Sequence, residues 1–364
     1  MDDFGGIVRT RPLRVARPSC AREVADAVRR AAADGLPVAA RGCGHSTAGE
    51  SQAPGGVMID MRGMRAVHDV GRDHITVDAG ATWREVLDAT LPHGLTPPVL
   101  TDHLDLTVGG TLSAGGVGGT SHVHGTQADN VSALEVVTRQ GEIAACSASR
   151  RRGLFDAVRG GMGRHGVITR ATLRLVAAPE RVLVCTVPCR DAGDLVALQR
   201  RVRADHVSGQ AKPAEAGWRF EAKAAVFDGT RPPEGVAPSK VERLPYRDFA
   251  DRMRPDVAEL VRLGEWARPH PWAMVLLPAA RAAELIGEVL AGTEVRDVGL
   301  SGVVLVKALR IGRVPMLRSP ADPVLFGMLR TASPGCRTAA EMAAANRRLH
   351  ERAAAAGGVP YPAS

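Results

Sequence analysis

A histidine set inside a glycine turn is the first place in this 364-residue chain where residue type and spacing imply chemistry. In Arg41-Gly42-Cys43-Gly44-His45-Ser46-Thr47-Ala48-Gly49, two glycines one residue apart let the backbone turn tightly. The N–H groups of such a turn aim into one concavity, which receives an anion such as a pyrophosphate. An imidazole there has little to pack against, so His45 pairs with the ligand, bonds to it covalently, or hydrogen-bonds locally as a turn residue. A second stretch, residues 101 to 120, holds six glycines within the eleven residues from Gly109 to Gly119. That entropic cost implies backbone pressed against a flat or phosphorylated ligand. Two such loops imply one large cofactor. The loose GxGxxG at 115–119 lacks a following βαβ unit with an acidic residue, so it does not read as a Rossmann fingerprint.

Carboxylates beside such a cofactor are the groups that could hold or move a substrate proton. Asp102 immediately precedes the glycine stretch. Asp105 is its rival and points to the other side of an extended chain. Glu221 shares a strand face with Arg219 and Lys223, where a surface ion pair with Lys223 is the plain alternative. Trp272 follows Pro271 and is either a pocket wall or a core anchor. His122 and His124 share a strand face, but no third ligand stands at useful spacing, so no metal site is assigned.

The elements that position these residues follow from periodicity and punctuation. Residues 20–34 place Val24, Ala27, Val28 and Ala31 on one helical face, with Ser19 as cap and Gly35 as stop, and feed the strand Leu36–Ala40. Short strands at 57–60 and 75–78 precede a helix opened by the capping box Thr82–Glu85. A hairpin of 134–137 with 142–146, a helix at 154–158 and a strand at 171–176 complete the first half. The second half, from about Pro179, reads as strands 182–187, 218–227, 273–277 and 302–309. Its helices read as 191–204, 246 to about 263, 279–290 and 338–356, an α+β layer.

The length favours two domains. With 45% hydrophobic and 24% charged residues and no long apolar run, a membrane span is excluded, and the acidic N-terminus does not read as a signal peptide. The expected location is cytoplasmic. Six cysteines without a CxxC pair indicate neither a zinc site nor a disulfide framework. The net charge of +8 is spread along the chain, and Arg150–Arg152 has no aromatic partners, so a solvated basic surface is expected rather than nucleic-acid binding.

Four segments together resemble the PCMH-type flavin domain of the vanillyl-alcohol-oxidase superfamily, in particular that of cytokinin dehydrogenases. They are RGCGHST, TDHLDLTVGGTLSAGGVGG, HGTQADNV (124–131) and LFDAVRGGMGRHGVITRATLRL (154–175). Tyr246–Arg252, Gly264-Glu265-Trp266 and Pro269–Trp272 resemble the substrate domain of the same enzymes. The resemblance implies an α+β protein with a PCMH-type FAD-binding domain, residues 1–178, and a substrate-binding α+β domain with an antiparallel sheet, residues 179–364.

It further implies FAD carried through its 8α carbon by His45, with Gly42, Cys43, Gly44 and Ser46 around the pyrophosphate. Glu50 stands where the family has Gln, and Thr107, Ser113, Val117 and the backbone of Val167 and Ile168 line the rest. Asp102 aligns with the catalytic aspartate that meets the substrate amine, and Glu221 resembles a second carboxylate that meets a ring nitrogen of an adenine-like base. His103 occupies the position of the cysteine that gives some relatives a second flavin bond, so a single attachment is expected. The implied reaction is oxidation of a secondary amine, cleaving N6-isoprenoid adenines to adenine and aldehyde, with a quinone or oxygen as acceptor, by a monomer or homodimer. Ala114 replaces an expected Asn, residues 190–216 look short, and the chain stops after Pro362 where the family continues back to the flavin domain. A flavin oxidase of another amine, alcohol or sugar, and a truncated remnant without turnover, are the alternative readings.

Overall fold

The computed structural model describes residues 2–215 and 217–362. In the first half, the helix Ala21–Ala33 buries Val24, Ala25, Ala27, Val28 and Ala31 along one stripe. Its N-cap is Cys20, with no side-chain cap. Ser19 instead donates its backbone N–H to Glu23, which corrects the expected cap. The helix leads into Val38–Arg41, an outer strand of a parallel sheet with Val57–Asp60 at its centre and Arg14–Ala16 beyond.

A five-stranded antiparallel sheet follows, in the order Val67–Val70, His74–Asp78, Gly166–Arg174, Val131–Thr138, Ile143–Ser147. The helix Trp83–Thr90 starts on the expected capping box, Thr82 with Glu85. Trp83, 1% exposed, donates its indole N–H to Thr111 Oγ1 at 2.8 Å and so pins this helix to the helix Val108–Ala114 within the glycine-rich stretch.

The second half is built on one eight-stranded sheet. Its order is Lys240–Pro245, Arg181–Cys189, Gly217–Phe227, His206–Ala214, Val303–Ala308, Pro323–Leu329, Trp272–Pro278, Val359–Pro360. All of its pairings are antiparallel. One face is covered by the helices Ala192–Arg201, Ala279–Ala291 and Ala339–Ala355. Phe220, Val207, Val304, Val306, Val275 and Phe326 pack against them.

Because side chains alternate along a strand, their neighbours Glu221, Gln210, Leu305, Lys307, Met274 and Leu325 turn to the opposite face, toward the first half. The first-half core continues onto that face through Tyr246, Phe249, Leu276, Leu309 and Leu325. Among the described residues no helix is long and apolar enough to cross a membrane.

Two further expectations are corrected, and two strands are added to those expected. The helix from Tyr246 to Leu263 is two helices, Tyr246–Ala250 and Arg254–Arg262, because Pro255 fits only the first turn of a helix. His206–Ala214 and Pro323–Leu329 are strands that periodicity did not reveal. His122 and His124 lie on a short helix, Ser121–His124, and not on a strand. The ring nitrogens of His122 face the carbonyls of Gly119 and Ala204, at 3.0 and 2.9 Å, so that imidazole braces the chain.

Candidate active site

The turn after Val38–Arg41 delivers His45. Gly44 has φ +76°, and a Cβ there would overlap the Arg41 guanidinium, so the turn requires glycine. Among the described residues, the backbone N–H groups of Cys43, Gly44, His45, Ser46 and Thr47 donate to no protein acceptor. Arg41, buried in the same loop, gives Nη2 to the Asp2 carbonyl at 2.7 Å, while its Nη1 is buried without a partner. Five N–H groups without a protein acceptor and the unsatisfied, buried Arg41 Nη1 in one turn are donors of the kind a dinucleotide pyrophosphate requires. The loop lines a cavity of about 330 Å³ together with Phe4, His103, Asp105 and Trp266. A larger cavity of about 560 Å³, lined by His122, Gln199 and residues of the segment 308–323, includes neither His45 nor Asp102.

Rings enclose His45. Phe4 stacks on it at 4.0 Å between centroids, His103 lies at 5.3 Å, and Trp272 stands edge-on at 5.4 Å. Burial, reinforced by charge on His103 and His270, pushes the His45 imidazole down to about 3, so it is neutral at physiological pH. Trp272, expected either in the pocket or in the core, borders His45, and its indole N–H is a buried donor without an acceptor.

Asp102 lies next to His103 in the chain and faces the second half. Lys307 donates to its Oδ2 at 2.6 Å, and Arg252 pairs with its Oδ1. Lys307 is 2% exposed and the Asp102 side chain 31% exposed, so the cation is the more deeply buried partner of the pair. Burial works against the charge on Asp102, but Lys307 and Arg252 outweigh it and hold the carboxyl well below the usual range. Buried His206, held neutral by its burial and by Arg252, completes the surround. Asp105 pairs with Arg84 at 2.6 Å, and Arg84 also pairs with Asp251 of the second half; residues 102–106 form a turn and not the expected extended chain, and it is Asp105 that lines the cavity beside His45.

The remaining predicted residues divide. A Cβ on Gly42 would overlap Thr107 Oγ1, so the two glycine loops touch there. Ser46 Oγ lies 2.7 Å from Ser51 Oγ, and Glu50 is exposed and accepts from Ala48 N–H in its own loop. Ser113 Oγ donates to Gly109 O inside its helix, Val117 is half-buried, and Val167 and Ile168 are core residues of a strand. Glu221 shares the sheet face of Lys307 but stands two strands away. It pairs with Lys212 at 2.7 Å and accepts from Gln210, not with Lys223, and no bond joins it to Asp102. The glycine stretch also differs from expectation: Gly116, Gly118 and Gly119 press against Gln127, Leu100 and His206, so these glycines serve loop-on-protein packing.

Sequence reasoning missed Phe4, His206 and Lys307, and it noted Arg252 only as part of a motif. A lone lysine in the apolar run Val303-Val304-Leu305-Val306-Lys307-Ala308 was the available signal.

Comparison with known proteins identifies the family. A family described as FAD binding domain matches residues 12–147, and one described as cytokinin dehydrogenase 1, FAD and cytokinin binding, matches residues 239–357. An uncharacterized oxidoreductase, ORF5 in the fasciation locus of Rhodococcoides fascians, is 40% identical over 99% of this chain and 86% of that protein. Cytokinin dehydrogenase 6 of Oryza sativa subsp. japonica is 34% identical over 80% of this chain and 67% of its own length. Cytokinin dehydrogenase 3 of Arabidopsis thaliana is 32% identical over 91% and 74% respectively.

Proposed function

The chain belongs to the FAD-dependent oxidoreductases of the cytokinin dehydrogenase family, and from that premise we propose that it oxidises a secondary amine, cleaving N6-isoprenoid adenines to adenine and an aldehyde. His45 is the proposed covalent anchor of FAD, and Gly42, Cys43, Gly44, Ser46 and Arg41 its pyrophosphate site. The observation that carries the reading is the neutral, ring-enclosed His45 in a turn whose N–H groups have no protein acceptor among the described residues, with the ionised Asp102 one residue from His103, whose ring lies 5.3 Å from that of His45.

When bound, the flavin supplies a two-electron acceptor for a hydride from the carbon next to the amine. Asp102 accepts a hydrogen bond from the amine N–H and so orients the adjacent C–H. Because Lys307 and Arg252 hold it ionised, Asp102 is a poor base and keeps the bond without taking the proton. Loss of hydride leaves an iminium; water adds, a proton is released, and the C–N bond breaks to give aldehyde and amine. Glu221 is the group proposed to meet the base, and a quinone or oxygen takes the electrons onward.

One observation favours a second reading, oxidation of an alcohol or sugar. Asp102 with its two cations carries a net positive charge, which suits an alkoxide better than an iminium. Anaerobic addition of N6-isopentenyladenine to the flavin-loaded protein decides between them. Bleaching of the visible flavin absorbance by this compound, and not by adenine, is the expected result, whereas bleaching by alcohols or sugars alone overturns it.

A further inference from the structure

The residues that hold the His45 turn in place come largely from outside it. Phe4 N–H donates to Gly44 O at 2.8 Å and Gly5 N–H to Ser46 O at 3.1 Å. Asp3 Oδ2 accepts from Gly49 N–H at 2.8 Å, and Gly5 O in turn accepts from His270 N–H at 2.9 Å. A Cβ on Gly5 would overlap the Thr47 carbonyl, so the approach is as close as backbone allows. The strap Asp2–Gly6 therefore bonds both to the turn and to the second half. Its one aromatic ring is sandwiched: Phe4 stacks on His45 at 4.0 Å and on His270 at 4.0 Å, nearly parallel to the latter at 5°.

We propose that Phe4, carried on this strap, is the positioning residue for His45, holding the imidazole in one orientation and shielding it from water for attachment of the flavin. The proposal rests on the reading of His45 as the tether. A glycine turn with its own N–H groups free has no internal means of fixing a side chain. A ring stacked at van der Waals distance supplies that constraint at low entropy cost, and its second stack against His270 makes the orientation depend on the docking of the second half.

The test uses the full chain, expressed under flavin limitation, with ring-¹³C-labelled histidine. The charged and titratable groups that line the His45 cavity or act on its ring are Arg41 and Cys43 of its own turn, Asp2 and Asp3 of the strap, His103 and Asp105 of the adjoining loop, and His270 of the second half. All are retained in Phe4→Ala, Phe4→Leu and Phe4→Tyr. The His45 resonance is expected to stay flat from about pH 5 to 8 in wild type and Phe4→Tyr, and to titrate toward about 6.5 in Phe4→Ala. After addition of FAD, the rate of acquiring acid-stable flavin is expected to fall about tenfold in Phe4→Ala and to be restored in Phe4→Tyr. If Phe4→Ala does not fold, Phe4→Leu, which keeps apolar volume and loses the stack, carries the comparison. Identical His45 titration in wild type and variant overturns the proposal. A wild type without acid-stable flavin whose His45 titration still depends on Phe4 overturns the tether and leaves the strap standing.

Discussion

Asp102 and Lys307 show how two residues far apart in the chain set the character of a site. The lysine is not tolerable there alone: Lys307 is 2% exposed and has Asp102 as its anionic partner. Asp102→Asn is therefore expected to destabilise the protein by about 3–5 kcal/mol, since it leaves a buried cation uncompensated. Lys307→Met should lose less, about 1–3 kcal/mol, because Arg252 remains against Asp102, and the double variant should recover part of the loss. Urea melts at pH 7 measure all three. The sign of the pH dependence follows from a carboxyl held below its ordinary value. Its stabilising contribution is complete above about pH 4 and is lost as the pH falls through the lower folded value. The stability gap between wild type and Lys307→Met should accordingly narrow below about pH 4, and a gap constant to acid would argue against the pair.

At the scale of elements, the two glycine loops are positioned by close approach. Gly118 faces the backbone carbonyl of Leu100, a neighbour that cannot rotate away, whereas Gly153, in the helix Arg152–Val158, has open space around it. Gly118→Ala should cost about 2–3 kcal/mol through forced separation of the loops. Gly153→Ala should instead add about 0.5–1 kcal/mol from helix propensity. Thermal melts of the two variants test whether the glycine count reflects packing of loop on loop; equal, small effects would show that it does not. The alternating strands of the large sheet do complementary work, sending apolar residues to the helices and Lys307 and Glu221 to the site face.

For the molecule as a whole, the site exists because the halves meet over it. Asp251 and Arg252, adjacent and opposite in charge, reach Arg84 and Asp102 of the first half, while Tyr246 and Thr96 hydroxyls lie 2.8 Å apart beside a shared apolar core. Wild type should unfold in a single calorimetric transition. The double variant Arg84→Met/Arg252→Met should lower the midpoint by several °C and still unfold as one unit, because the continuous core carries the coupling. Two separated transitions would show that the charges, and not the core, join the halves.

Local chemistry was legible in the chain itself. The His45 turn, the capping box at Thr82 and the helix stripes depend on neighbours a few residues apart, and such interactions are written in spacing. What paired with what was not legible. Lys307 reaches Asp102 across 205 positions and Arg252 across 150, Glu221 chose Lys212 over the nearer Lys223, and Phe4 came to rest between His45 and His270. Strand order and the docking of two cores decide such meetings, because periodicity states which face a residue occupies but not which face it will be laid against.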